Sequence, residues 1–191
     1  MNIVERVRRL CLSPDTEWAV IAGEHATLAA LLTGYALPLA ALSAIASLLG
    51  STFIGLGAGF AVRAAIVGLV LSLIGVVILS AVIDALAPTF GAARSSQSAA
   101  KVAAYTPTPA WVAGIFQIIP VLGSLISLAG ALYAFYLLYL GLRRVMKSPP
   151  DRAVAYTAVV VLVTIVAGFL VSYVMTLIGL GPGMPTIRTR S

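Results

Sequence analysis

Long uncharged runs alternate with short charged clusters along this chain. Leu28–Leu49, Ala64–Ile83, Val102–Leu142 and Ala153–Ile178 contain no Asp, Glu, Lys or Arg. About 20 apolar residues of helix cross a hydrocarbon core. The first, second and fourth runs therefore each predict one span, at about 28–49, 64–83 and 153–178. The third run is too long for one crossing. Its centre reads IIPVLGS, and Pro120 and Gly123 stand where a helix would break. It predicts a hairpin of spans at about 102–119 and 124–142. The fold class is thus an all-α integral membrane protein with five transmembrane helices. The stretch YTPTPAW complicates the third of them, because Pro107 and Pro109 each remove a backbone donor. That hairpin either kinks or enters and returns without fully crossing.

Ahead of the spans, Ile3, Val4, Val7, Leu10 and Cys11 share one helical face, and Glu5, Arg6, Arg8 and Arg9 occupy the rest. This is a short amphipathic N-terminal helix, lying on the membrane surface or docked on the end of the bundle. Ser13, Pro14, Asp15 and Glu17 then have the order of a helix start: a cap, a first-turn proline and acids at the positive end. Asp15, Glu17 and Glu24 are read as surface charges outside the lipid. The layout is a cytoplasmic region over 1–26, a five-helix membrane domain over 27–180 and an external tail over 181–191. The opening residues lack the apolar core of a signal peptide.

Composition agrees with this layout. The chain is 61% hydrophobic and 9% charged, against roughly 25% charged in soluble domains. The net charge of +6 sits beside the apolar runs, so anionic lipid headgroups are the expected partner and nucleic acid is not. The single cysteine allows no internal disulfide, and Cys11 reads as a packed thiol. With the N-terminus inside, Arg6, Arg8, Arg9, Arg94, Lys101, Arg143, Arg144, Lys147 and Arg152 fall on the inner face. Only Arg63, Arg188 and Arg190 fall outside. That asymmetry predicts a cytoplasmic N-terminus and an external C-terminus.

Asp84 ends the second run. It lies about 32 Å of helix from Arg63, close to one membrane thickness, so it is expected at the inner boundary. Pro88 leaves the Asp84 carbonyl without its helical donor, and Gly91 follows. A second reading makes Asp84 part of a polar cluster with Lys101, Tyr105, Tyr136 and Tyr139. A third, a mid-membrane proton relay, lacks a second acid or a buried histidine. Tyr133, Tyr136 and Tyr139 recur every third residue and read first as packing.

No hydrolase, metalloprotease or nucleotide-binding motif is present, and no carboxylates pair within a span. The glycines of GLGAGF follow no strand, and His25 has no ligand partners at metal spacing. Neither enzymatic activity, a metal nor a cofactor is expected.

Several stretches together resemble the Yip family, the Ypt/Rab-GTPase-interacting membrane proteins, in its short prokaryotic form. They are SPDTEWAVIAGE, TGYALPLAAL, DALAPTFG, KVAAYTPTPAWVAGIFQIIPVLG and YLLYLGLRRVMKSPPDRAVAY. The resemblance implies five spans with the N-terminus in the cytosol, a place in a prokaryotic cytoplasmic (inner) membrane, and a role in membrane organisation or traffic. Binding of Rab-type GTPases is not carried over, because only about 26 residues precede the first span. The expected function is a membrane-embedded scaffold or adaptor for lipids, partner membrane proteins or further copies of itself. The alternative is a small transporter, channel or lipid scramblase with its site at the broken third helix.

Overall fold

The structure, a computed structural model, describes residues 2–177. Every regular element among them is helical. Helix α1 spans Ile3–Leu12, with the Asn2 side chain accepting from the Val4 N–H at its start. Helix α2 follows at Pro14–Gly23. Helix α3 runs over Leu28–Phe53, capped by the Thr27 hydroxyl, which accepts from the Ala30 N–H. Its early part widens into a π-turn at Leu32–Ala36. Pro38 has no N–H for the carbonyl one turn back, and the widened turn absorbs that missing bond.

Helix α4 covers Ala58–Leu86 and tightens into a 3-10 turn at Ala87–Phe90. The turn closes on Gly91, whose φ of 75° suits a residue without Cβ. Helix α5 is Ser96–Tyr105 and α6 is Thr108–Gly114, prolonged by a 3-10 turn at Ile115–Ile118. Helix α7 spans Pro120–Arg144 and α8 spans Pro150–Leu177.

Four helical stretches are long and apolar enough to cross a membrane: Leu28–Phe53, Ala58–Phe90, Val121–Arg144 and Pro150–Leu177. The fifth expected crossing, 102–119, is not one continuous helix. Pro107 and Pro109 split it into α5 and α6, as their missing donors require. The break is sheltered, as irregular backbone at membrane depth must be. From Ala99 to Tyr105 every residue of α5 is buried. The hairpin turn falls at Ile119, with α7 starting at Pro120, so Gly123 lies inside α7.

Small residues let α7 close against the broken helix. A Cβ added at Gly130 would lie 2.6 Å from the Ala113 Cβ and 2.7 Å from the Pro109 carbonyl oxygen. At Gly141 it would meet Val102 and the Trp18 ring at 3.0–3.2 Å. Helix α8 joins through its first half, where Ala153, Tyr156 and Val160 are buried. Its later Phe169, Leu170 and Tyr173 are exposed apolar surface, as a lipid-facing helix would have. The end of the last expected span at Ile178 and the tail 181–191 lie outside the described residues.

Candidate functional site

The N-terminal helix docks on the bundle through Ile3, Val7 and Leu10 of its apolar face, with Arg6 added to them and Val4 turned away. Leu10 is fully buried and Arg6 only 6% exposed, while Val4 and Leu12 face outward. Arg6 points inward because it has two acids to meet. Its Nη1 lies 2.7 Å from Glu17 Oε1, and its Nη2 pairs with Glu24. Glu17 is 2% exposed, so the expectation that it is a surface charge is corrected. Burial works against the charge on Arg6. The hydrogen bond to Glu24 and the nearby Tyr105, Glu24 and Glu17 outweigh it and hold the guanidinium above its ordinary pKa.

A second cation completes the seat. Lys101, on α5, is 3% exposed. Its ammonium donates to the carbonyls of Ile21, Ala22 and Glu24, each at 3.0 Å. These carbonyls lie at the negative end of α2, where a cation is most favourable, and the one on Ile21 also accepts from the Glu24 N–H at 3.2 Å. Burial lowers the Lys101 pKa, and Glu24 only partly offsets it. Together Arg6, Lys101, Glu17 and Glu24 carry two charges of each sign, so the desolvated group is internally balanced.

Tyr105 forms the floor. Arg6 sits over its ring at 5.2 Å, and the Tyr35 and Trp18 rings meet it edge-on at 4.7 and 6.4 Å. The same residue ends α5 at the helix break. Pro109 cannot donate to the Tyr105 carbonyl, and the Thr108 hydroxyl does so instead at 2.6 Å. Tyr35 then bonds that hydroxyl at 2.8 Å. The proline break is thus sealed by side chains and tied to α3.

Asp84 lies elsewhere. Its Oδ1 accepts from the Ser95 N–H at 2.9 Å, anchoring the loop that leads into α5. Beside it the Tyr156 hydroxyl donates to the Ile83 carbonyl at 2.5 Å and its ring stacks on Phe90. The residues of the second reading, the polar cluster, are therefore distributed. Lys101 and Tyr105 share the α1–α2 seat. Arg143 donates to the Tyr139 hydroxyl at 3.3 Å, and Tyr136, about half exposed, sets its ring beside that of Tyr133. Lys101, a candidate partner of Asp84 in that reading, does not pair with it, since each has its own backbone partners. Tyr133, third of the tyrosine stripe, donates to the Cys11 carbonyl at 3.0 Å and pins the end of α1.

In the sequence Arg6, Glu17 and Glu24 have the look of surface charges, and Tyr35 and Thr108 carry no mark. One signal was present: Ile3, Arg6 and Leu10 stand at helical spacing, so an arginine shares a face with two apolar residues.

A different, polar cavity of about 360 Å³ lies between α3, α4, α6 and α7. Ser43, Ser47, Ser72, Trp111, Gln117 and Ser127 line it. Trp111 Nε1 donates to Ser72 at 2.8 Å, and Gln117 to Ser127 at 3.1 Å. Among the described residues no three His, Cys, Asp or Glu side chains gather as a metal site.

No significant match was found among curated proteins or among solved structures. A family model described as the Yip1 domain matches residues 8–173, which takes in the second half of α1 and every later helix as far as the second half of α8. With nearly the whole described fold covered, the chain belongs to the Yip1 family of membrane proteins.

Proposed function

We propose that the chain is a non-enzymatic scaffold that gathers membrane lipids and partner membrane proteins, or further copies of itself, at one end of its bundle. The observation that carries this reading is the docking of α1 and α2 through buried, mutually neutralised charges. Docking turns a short N-terminal region into a fixed platform. Exposed Arg143, Arg144, Lys147 and Arg152 stand at the α7–α8 junction, and exposed Arg8 and Arg9 on α1. Arg144 grips Asp15 of α2 through bonds of 2.7–3.0 Å, joining the platform to α7. Such a basic face suits anionic headgroups and acidic partner surfaces. We place it on the cytoplasmic side of a prokaryotic inner membrane, in keeping with the distribution of Lys and Arg. Crosslinking in intact cells tests the reading. Photoreactive groups at Arg8 and Lys147 should capture discrete membrane partners or a second copy. A protein that stays monomeric in mild detergent and captures nothing defeats it.

The polar cavity beside Gln117 supports a second reading, a permeation or lipid-scrambling route at the broken helix. Flux through proteoliposomes that disappears with Gln117→Ala would put it ahead of the scaffold.

A further inference from the structure

A cavity of about 420 Å³ opens between α1 and the early part of α3. Arg6, Glu24, His25, Tyr35 and Tyr105 line its polar side, and Ala30 and Gly34 its apolar side. Its hydrogen-bonding capacity is only half used. A guanidinium has five N–H donors; Arg6 spends Nη1 on Glu17 and Nη2 on Glu24. Oε2 of Glu24 has no partner among the described residues, since its one ion pair goes through Oε1. Tyr105 is 6% exposed, yet its hydroxyl has no hydrogen-bond partner among the described residues. These groups open onto the cavity, and a ligand that met them would gain charge-assisted hydrogen bonds there.

The arrangement also selects the ligand. Spare donors on Arg6 ask for an anion, and the spare carboxylate oxygen beside them asks for a cationic N–H. A purely anionic headgroup would face Glu24, and a purely cationic one would face Arg6. We infer that this cavity holds one zwitterionic phospholipid headgroup of the ethanolamine class, its phosphate on Arg6 and Tyr105 and its ammonium on Glu24. The acyl chains leave along the exposed Ala30 and Gly34 of α3. The inference rests on the reading of the chain as a lipid-gathering scaffold and names the lipid.

The test is native mass spectrometry of the full chain in detergent, titrated with ethanolamine, choline and glycerol phospholipids of identical acyl chains. The expected result is one ethanolamine lipid per chain, held about tenfold more tightly than the other two, as one charge-assisted hydrogen bond allows. Two variants separate the site from the fold. Tyr105→Phe removes only an unpartnered hydroxyl. Gly34→Leu fills the cavity from a position where an added Cβ meets nothing within 4 Å. Both should weaken ethanolamine-lipid retention with little change in melting temperature. Equal retention of the glycerol or choline lipid overturns the inference, and so does unchanged retention in both variants. Crosslinking in cells scores the scaffold reading separately: captured partners without headgroup selectivity defeat this site alone.

Discussion

Arg6 Nη1 and Glu17 Oε1 sit 2.7 Å apart, with the two side chains 7% and 2% exposed. Removing one member of such a pair leaves the other charged and desolvated. Arg6→Ala should therefore destabilise the protein by about 3–5 kcal/mol. The exposed pair between Arg144 and Asp15, 51% and 55% exposed, is the control. Arg144→Ala should cost only about 0–1 kcal/mol. Denaturant titration in mild detergent measures both, and equal losses would mean that Arg6 is not buried.

Lys101 lies far from α2 in sequence and close to it in space. Lys101→Met keeps the apolar stem and removes three bonds to the carbonyls of Ile21, Ala22 and Glu24. Hydrogen bonds to a charged group contribute about 1.5–3 kcal/mol, so the end of α2 should loosen by a comparable amount. Hydrogen exchange should then quicken in α2 while the exchange of α4 stays put. An unchanged α2 would remove Lys101 from the seat.

The spans were legible because hydrocarbon imposes long uncharged runs, and four of the five expected crossings coincide with continuous helices. The third was legible only as trouble: Pro107 and Pro109 announced lost donors, but not that Thr108 would replace one of them. The seat was hardly legible at all. Arg6, Glu17 and Lys101 each have an ordinary surface explanation taken singly, and α1, α2 and α5 are joined by tertiary packing that no local spacing encodes. Asp84 invited attention as a lone acid beside a span, yet its partner is a backbone N–H, which leaves no mark in the sequence.

Asp84→Ala should weaken the loop into α5 by about 1–3 kcal/mol, because the Ser95 N–H loses its acceptor. Asp84→Asn keeps an oxygen there and should recover most of that loss. Thermal unfolding of the two variants side by side decides the matter. Equal damage from both would point to the charge of Asp84 rather than its bond to the loop.

Close packing of α7 on α6 depends on Gly130. With Ala113 and the Pro109 carbonyl at 2.6 and 2.7 Å from an added Cβ, Gly130→Ala should cost about 1–3 kcal/mol by overpacking. Gly68→Ala is the counterpart, since a Cβ there meets nothing within 4 Å. Mid-helix alanine is favoured over glycine by roughly 0.5–1 kcal/mol, so this variant should melt no lower than the parent. Identical melting of the two would mean that α6 and α7 do not touch at Gly130.

Cys11 reports on the docking of α1 without perturbing it. Burial pushes its thiol up from the ordinary cysteine value. The thiolate is the reactive form, so a raised pKa means less of it at any pH below the shifted value. Alkylation of the native chain by a maleimide at neutral pH should be slower than that of the unfolded chain. Its rate should still be climbing at pH values where the unfolded chain has levelled off. Arg6→Ala, by releasing α1, should return Cys11 toward ordinary thiol behaviour and speed the reaction. Tyr133→Phe, which removes only the bond to the Cys11 carbonyl, should have a smaller effect in the same direction. If native and unfolded chains react alike across this range, α1 does not rest on the bundle, and the charged seat beneath it does not form.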